Sequence, residues 1–170
     1  MPKPSDIRDE WWRWNAAFSL IALLVVAADQ LSKTWIRSNL GVGQSLFELG
    51  FFRLTYVHNT GAAFGLFQGQ SFPLTIVAFV GVIVLLGYAL FIYRRFSSLN
   101  VMLSRSALGL VLGGTIGNLI DRLRFGYVTD FISISIWPAF NLADSAIVAG
   151  AIMFAYSLLF LSREGKSTDG

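Results

Sequence analysis

A chain of 170 residues is long enough for one domain or for a small membrane bundle. Hydrophobic residues make up 55% and charged residues 14%, against about 25% charged in ordinary soluble domains; with a mean hydropathy of +0.62, a soluble fold cannot hide so much apolar surface and disorder is excluded. Cysteine is absent and His58 is the single histidine, so disulfides, thiolate nucleophiles and multi-histidine metal sites are ruled out. The net charge of +3 reads as membrane topology and not as nucleic-acid binding.

Four apolar runs follow in order. A spanning helix needs about 20 mostly apolar residues. The first run, Asn15 to Ala28, meets Asp29 and predicts a span over about 15–35. Trp11, Trp12 and Trp14 precede it as an aromatic belt. The second, Ser71 to Tyr93, carries no charge and predicts a span over about 71–93. The third, Ser106 to Ile120, meets Asp121 (about 105–122), and the fourth follows Asp144 (about 141–161). The first and third reach spanning length only if their aspartates sit inside the helices or at the interface. Gly109, Gly113 and Gly117 form a small-residue stripe along the third, where another helix can approach closely.

Up-down-up-down topology puts Lys3, Arg8, Arg13, Arg94, Arg95, Arg105, Arg163 and Lys166 on one side, eight of the 13 basic residues. That side is cytoplasmic by the positive-inside rule. Both termini are then inside, and segments 36–70 and 123–140 face outward. In the first outer segment, Phe51 to Val57 is aromatic and β-branched and reads as a strand, while Leu66, Phe67 and Phe72 suit a bilayer surface. In the second, Tyr127 to Ile136 has strand character and alternates apolar with serine from Ile132. These two segments are expected to form a small outer β element. The expected fold class is an all-α integral membrane protein of four transmembrane helices with that element, one membrane-embedded domain over 1–170.

This topology gathers Asp29, Asp121, Asp130 and Asp144 near the outer membrane surface, with Asn59, Asn118 and Asn141 at the same level. Acids inside membranes are functional hypotheses by default, yet each has a structural reading. Asp29 and Lys33 are spaced for a helix-surface ion pair. Asp121 is followed by Arg122 and suits an ion pair or interfacial anchor. Asn141 and Asp144 have the spacing of a capping box. Asp130 interrupts an apolar strand with no adjacent base, and a solvated outer face would account for it.

Two carboxylates about 3 Å apart share a proton. The ionised member takes a proton from attacking water and the protonated member hydrogen-bonds the peptide carbonyl. Such chemistry needs no cysteine, histidine, metal or cofactor, but these residues alone do not say which two acids meet. A serine–lysine dyad would use Lys33, but Ser32 points about 100° away around the helix. His58 beside Asn59 is a lone outer histidine. A proton-coupled transporter would place its acids near the midplane between repeats.

The residues Asp29-Gln30-Leu31-Ser32-Lys33, Asn59-Thr60-Gly61-Ala62-Ala63-Phe64, Gly113 to Arg122, Val128-Thr129-Asp130-Phe131 and Phe140-Asn141-Leu142-Ala143-Asp144-Ser145 resemble, in this order, the bacterial lipoprotein signal peptidases, also called type II signal peptidases. The resemblance covers nearly the whole chain. It implies an aspartic endopeptidase of the inner (cytoplasmic) membrane with Asp130 and Asp144 as the catalytic dyad. Asn59, Asn118, Asp121, Arg122 and Asn141 would shape the site and hold the substrate backbone. Lys33 and Gly61 would support it, and Asp29 would lie at the base of the cleft. The implied partners are membrane lipids and prolipoproteins whose cysteine carries diacylglycerol, cut just before that cysteine. A short amphipathic surface helix is implied as well. The Ser133–Pro138 connection is short for the pattern. A non-enzymatic lipid or peptide binder, or a small transporter, is the alternative; a binder would tolerate asparagine at both Asp130 and Asp144.

Overall fold

The computed structural model describes residues 4–61, 67–91 and 101–167. In chain order it contains helix α1 (Pro4–Asn39), strands β1 (Ser45–Leu49) and β2 (Phe52–Asn59), helices α2 (Ser71–Phe91) and α3 (Val101–Phe125), strands β3 (Val128–Ile134) and β4 (Trp137–Phe140), and helix α4 (Leu142–Ser167). Among the described residues, four stretches are long and apolar enough to cross a membrane: Asn15–Asn39, Ser71–Ala89, Met102–Phe125 and Leu142–Leu159.

Helix α3 is the central one, packed against α1, α2 and α4. Most of its spanning window is buried, whereas those of the other helices face mainly outward. Two glycine faces explain this. Along one face, a Cβ on Gly113 would lie 2.7 Å from the Ala22 carbonyl oxygen, and one on Gly117 would lie 2.5 Å from Oδ2 of Asp29. A methyl group at either position would push α1 away. On the other face, Gly114 lies against the Ala143 carbonyl of α4. The stripe therefore serves close helix packing, as its spacing predicts.

The sheet is antiparallel in the order β1-β2-β3-β4. The two expected strand segments do pair, with Val57 opposite Asp130 and Asn59 opposite Val128. Two further strands, β1 and β4, flank them as edges; the expectation of one small β element understates the sheet. β4 contains Pro138, tolerated at an edge where an N–H is not required. The serine–isoleucine alternation does not continue to Ile136: β3 ends at Ile134, and Ser135, at φ 48°, turns the chain into β4. Ile36, Tyr56 and Phe131 form a small core where the end of α1 meets the sheet.

Several expected boundaries move. Asp29 does not end the first span, which runs on to Asn39, so residues 36–39 belong to α1 and not to an outer segment. Likewise α3 continues through Phe125. It stops there because Gly126 adopts φ 77° and its N–H returns to the Arg122 carbonyl at 3.0 Å, a left-handed helix cap. That cap aims the chain directly into β3. Lys3, Ala62, Ala63, Phe64, Leu66, Tyr93, Arg94 and Arg95 lie outside the described residues, as do the side chains of Trp11, Trp12 and Trp14. Phe67 lies in a turn at φ 58°, and Phe72 is in the first turn of α2.

Candidate active site

Helix α4 begins with a reciprocal cap. The Asp144 N–H donates to Oδ1 of Asn141 at 2.9 Å, and the Asn141 N–H donates to Oδ2 of Asp144 at 3.3 Å. This is the capping box that the spacing suggests. It is not the whole role of either residue. Nδ2 of Asn141 also donates to Oδ1 of Asp130 at 2.7 Å, and Nδ2 of Asn118 donates to Oδ1 of Asp144 at 2.8 Å. The same Asn141 amide group lies 3.2 Å from Oδ1 of Asn118. Two asparagine amides thus tie together the carboxylates of β3 and α4.

Asp130 is 1% exposed. Its second oxygen accepts from Nδ2 of Asn59 at 2.8 Å, across the β2–β3 ladder. Oδ1 of Asn59 in turn accepts from the Gly61 N–H at 2.9 Å, and the Gly61 carbonyl accepts from Arg122 at 3.1 Å. Burial, reinforced by the negative charge of Asp144, pushes the Asp130 carboxyl up to about 7; the two asparagine bonds oppose this shift without cancelling it.

Beneath the asparagines lies a fully buried charged layer. Lys33 sits 2.9 Å from Asp29 and 3.4 Å from Asp121. The expected Asp29–Lys33 pair is present, but it is buried and not on the helix surface. It also does more than join neighbouring turns. Asp29 reaches α4, accepting from the Ala143 N–H at 3.0 Å, where the helix N-terminus favours negative charge. Of the two expected roles, an ion pair with Arg122 or an anchor, Asp121 takes the second, with its ion pairs made to Lys33 and Arg37. It accepts from the Thr129 N–H at 2.9 Å, from Gln30 at 3.2 Å and from Arg37 at 3.4 Å. One residue further along α3 is a rotation of about 100°, which takes Arg122 to the side of Gly61.

Asn59, Asn118, Arg122 and Asp144 line a cavity of about 630 Å³. Asp130 and Asn141 stand behind them through the bonds above. The rest of the wall is largely apolar, made by the β4 hairpin from Trp137 to Phe140 and by Ile147, Val148 and Ile152 of α4. Arg122 Nε is buried with no hydrogen-bond partner among the described residues, leaving a donor in a cavity-lining side chain. Among the described residues, no group of three or more His, Asp or Glu side chains gathers as a metal-binding cluster.

The competing arrangements fare differently. Ser32 Oγ donates to the Asp29 carbonyl of its own helix at 2.8 Å, and Lys33 is fully engaged with Asp29, Asp121 and Asn118. Ser32 and Lys33 therefore form no serine–lysine dyad. His58 stacks on Tyr127 at 3.6 Å and bonds the Tyr56 hydroxyl at 2.9 Å; burial lowers its pKa. Gln30, Arg37 and Thr129 were not singled out from the sequence, nor was the apolar wall. Arg37 had a signal: it lies one helical turn beyond Lys33, on the same face.

A family model described as Signal peptidase (SPase) II matches residues 21–160. The lipoprotein signal peptidase of Moorella thermoacetica is 51% identical over 148 residues, which cover 86% of this chain and 95% of that protein. The protein of the same description from Dehalococcoides mccartyi strain 195 is 45% identical over 148 residues, 87% of this chain and 92% of the other. A solved structure described as a bacterial membrane enzyme superposes with a TM-score of 0.74 at 32% identity, covering 82% of this chain and 85% of that one.

Proposed function

Because the chain belongs to the signal peptidase II family, a family of peptidases, we propose that it is an aspartic endopeptidase that removes signal peptides from diacylglyceryl-modified prolipoproteins, cutting before the lipidated cysteine. The observation that carries the aspartic assignment is the amide-bridged pair of Asp130 and Asp144 at the polar edge of a cavity whose remaining wall is largely apolar. Asp130 holds the shared proton at rest, in keeping with its raised pKa. The half-buried Asp144 lines the cavity and takes a proton as water attacks the scissile carbonyl carbon. Asp130 hydrogen-bonds the carbonyl oxygen. The tetrahedral intermediate collapses as the amide nitrogen gains a proton from the pair, the C–N bond breaks, and the cysteine amine leaves.

Arg122 Nε supplies a donor for a substrate backbone carbonyl, and Asn59 and Asn118 hold the carboxylates while the peptide settles. The apolar α4 wall suits a substrate whose acyl chains stay in lipid while its scissile bond reaches the acids. Four helices among the described residues are long and apolar enough to cross a membrane, which suits a multi-pass protein. The proposed orientation puts both termini in the cytoplasm and the acids near the outer face of the inner membrane, following the basic-residue asymmetry.

The test is cleavage of a diacylglyceryl-modified precursor and of its unmodified counterpart by purified protein. Cleavage of the modified precursor alone, unaffected by a chelator and lost in Asp130→Asn and in Asp144→Asn, is the expected result. The double variant should be scarcely worse than either single one, because the pair acts as a unit. Full activity in either single variant would overturn the dyad, and loss of activity on chelation would overturn the aspartic class.

A further inference from the structure

The two hairpin tips of the sheet lie side by side. Leu49 pairs with Phe52, Phe52 with Ile134 and Ile134 with Trp137. The Ser135 N–H donates to the Phe51 carbonyl at 2.6 Å and locks one tip to the other. Their side chains are apolar and largely bare: Phe51 is 70% exposed and Ile136 98% exposed, with Leu49, Ile134 and Trp137 exposed beside them. This is the end of the sheet away from Asn59 and Val128, so the patch is separate from the proposed dyad. A contiguous apolar patch of this kind marks a surface that meets another apolar phase.

The cavity says which phase. Trp137, at the foot of the β3–β4 turn, and Ile152 line the same cavity. Ile152 lies in the span Leu142–Leu159, about 15 Å along the helix axis from Leu142 at 1.5 Å per residue. One cavity therefore joins the hairpin to the membrane-spanning part of α4. Trp137, Val148 and Ile152 are all exposed and line it together, so apolar surface runs from the hairpin to α4. An exposed tryptophan at that junction suits a headgroup boundary.

We propose that the paired tips, with Phe51 and Ile136 foremost, insert into the interfacial region of the lipid bilayer and hold the β4 wall of the cavity at the membrane surface. The occupant of the patch is lipid, and not a second copy of this chain or a soluble protein. This anchoring does not depend on which residues cleave the substrate.

The natural absence of cysteine makes single-site labelling clean. Ile136→Cys and Phe51→Cys, one on each tip, are labelled with bimane and reconstituted in phosphatidylethanolamine–phosphatidylglycerol vesicles. Some of the lipid carries nitroxide high on its acyl chain. Val77→Cys, exposed on α2, serves as the lipid-facing reference. At both tips, nitroxide lipid should quench within a factor of about two of the reference, as expected for an interfacial anchor, and aqueous iodide should have little effect. Quenching by iodide without quenching by nitroxide lipid at either tip would overturn the anchor. Disulfide-linked dimers of the unlabelled variants in place of lipid contact would overturn it in favour of a second copy.

Discussion

Lys33 determines which end of Asn118 faces Asp144. Its ammonium lies 2.8 Å from Oδ1 of Asn118, and an ammonium has only hydrogens to offer. The amide must therefore turn its oxygen inward and its NH2 group outward, where Nδ2 meets Asp144 at 2.8 Å. A buried cation on α1 thus orients an amide on α3, which holds a carboxylate on α4.

Removing that cation should damage the fold as well as the site. Lys33→Met leaves Asp29 and Asp121 facing each other without their shared partner, both buried. Breaking a buried pair in this way costs about 3–5 kcal/mol. Thermal unfolding in detergent is expected to show a large drop. Pairing Lys33→Met with Asp29→Asn should recover part of it, since one stranded charge is then gone.

Asn118 and Asp121 are one turn apart on α3 and should separate cleanly. Asn118→Ala removes a positioning bond to Asp144 and is expected to reduce turnover about 10²-fold, on the scale of lost positioning, with a modest change in melting temperature. Asp121→Ala removes a partner shared by Lys33, Arg37 and Gln30 and leaves the buried Thr129 N–H without its acceptor. A stability loss of about 3 kcal/mol or more is expected there. Unchanged melting of Asp121→Ala with abolished cleavage would mean that Asp121 takes part in the chemistry and is not a structural anchor.

Gly117→Ala should act at a distance from the cavity. Its new methyl group would meet Oδ2 of Asp29 at 2.5 Å, forcing Asp29 off either Lys33 or the start of α4. Overpacking of this kind costs about 1–3 kcal/mol. Lower cleavage and lower melting temperature are expected together, and a second substitution at Asp29 should add little because the two share one contact.

Asp130 makes stability depend on pH with a definite sign. Its folded pKa is raised from 3.8 to about 7, so the folded state holds this proton more tightly than the unfolded chain. The resulting stabilisation is fully present below the unfolded value and is lost as pH rises through the folded one. The melting temperature of the wild type should fall between pH 5 and pH 8. Asp130→Asn, with no proton to lose, should show a flatter profile. Cleavage should also decline on the alkaline side as the pair loses its shared proton.

Orientation can be read with reporters. A fusion after Gly170 should report the cytoplasm, and one inserted near Gly43 should report the outside, given the asymmetry of lysine and arginine. An external C-terminus would reverse the proposed orientation.

The hydrophobic runs made the four helices legible, because length and charge content suffice to identify a spanning segment. The strand character of β2 and β3 was legible from β-branched and aromatic residues. The edges β1 and β4 were not: they are five and four residues long, and β4 carries a proline. The acids were found as a group, but their partners were not. Asp121 follows Arg122's neighbour rule in sequence and obeys Lys33, Arg37 and Thr129 in space. That arrangement depends on how α1 and β3 meet α3, which local spacing does not encode. The place of Arg37 beside Asp121 was hidden for the same reason.

The cap of α4 and the proposed acid pair share the same atoms, and this couples assembly to competence. Until the fourth helix has begun at Leu142 and seated its first turn on Asp29, Asp144 has no fixed station and Asn141 cannot reach Asp130. A chain caught part-way through insertion carries every acid yet no acid pair.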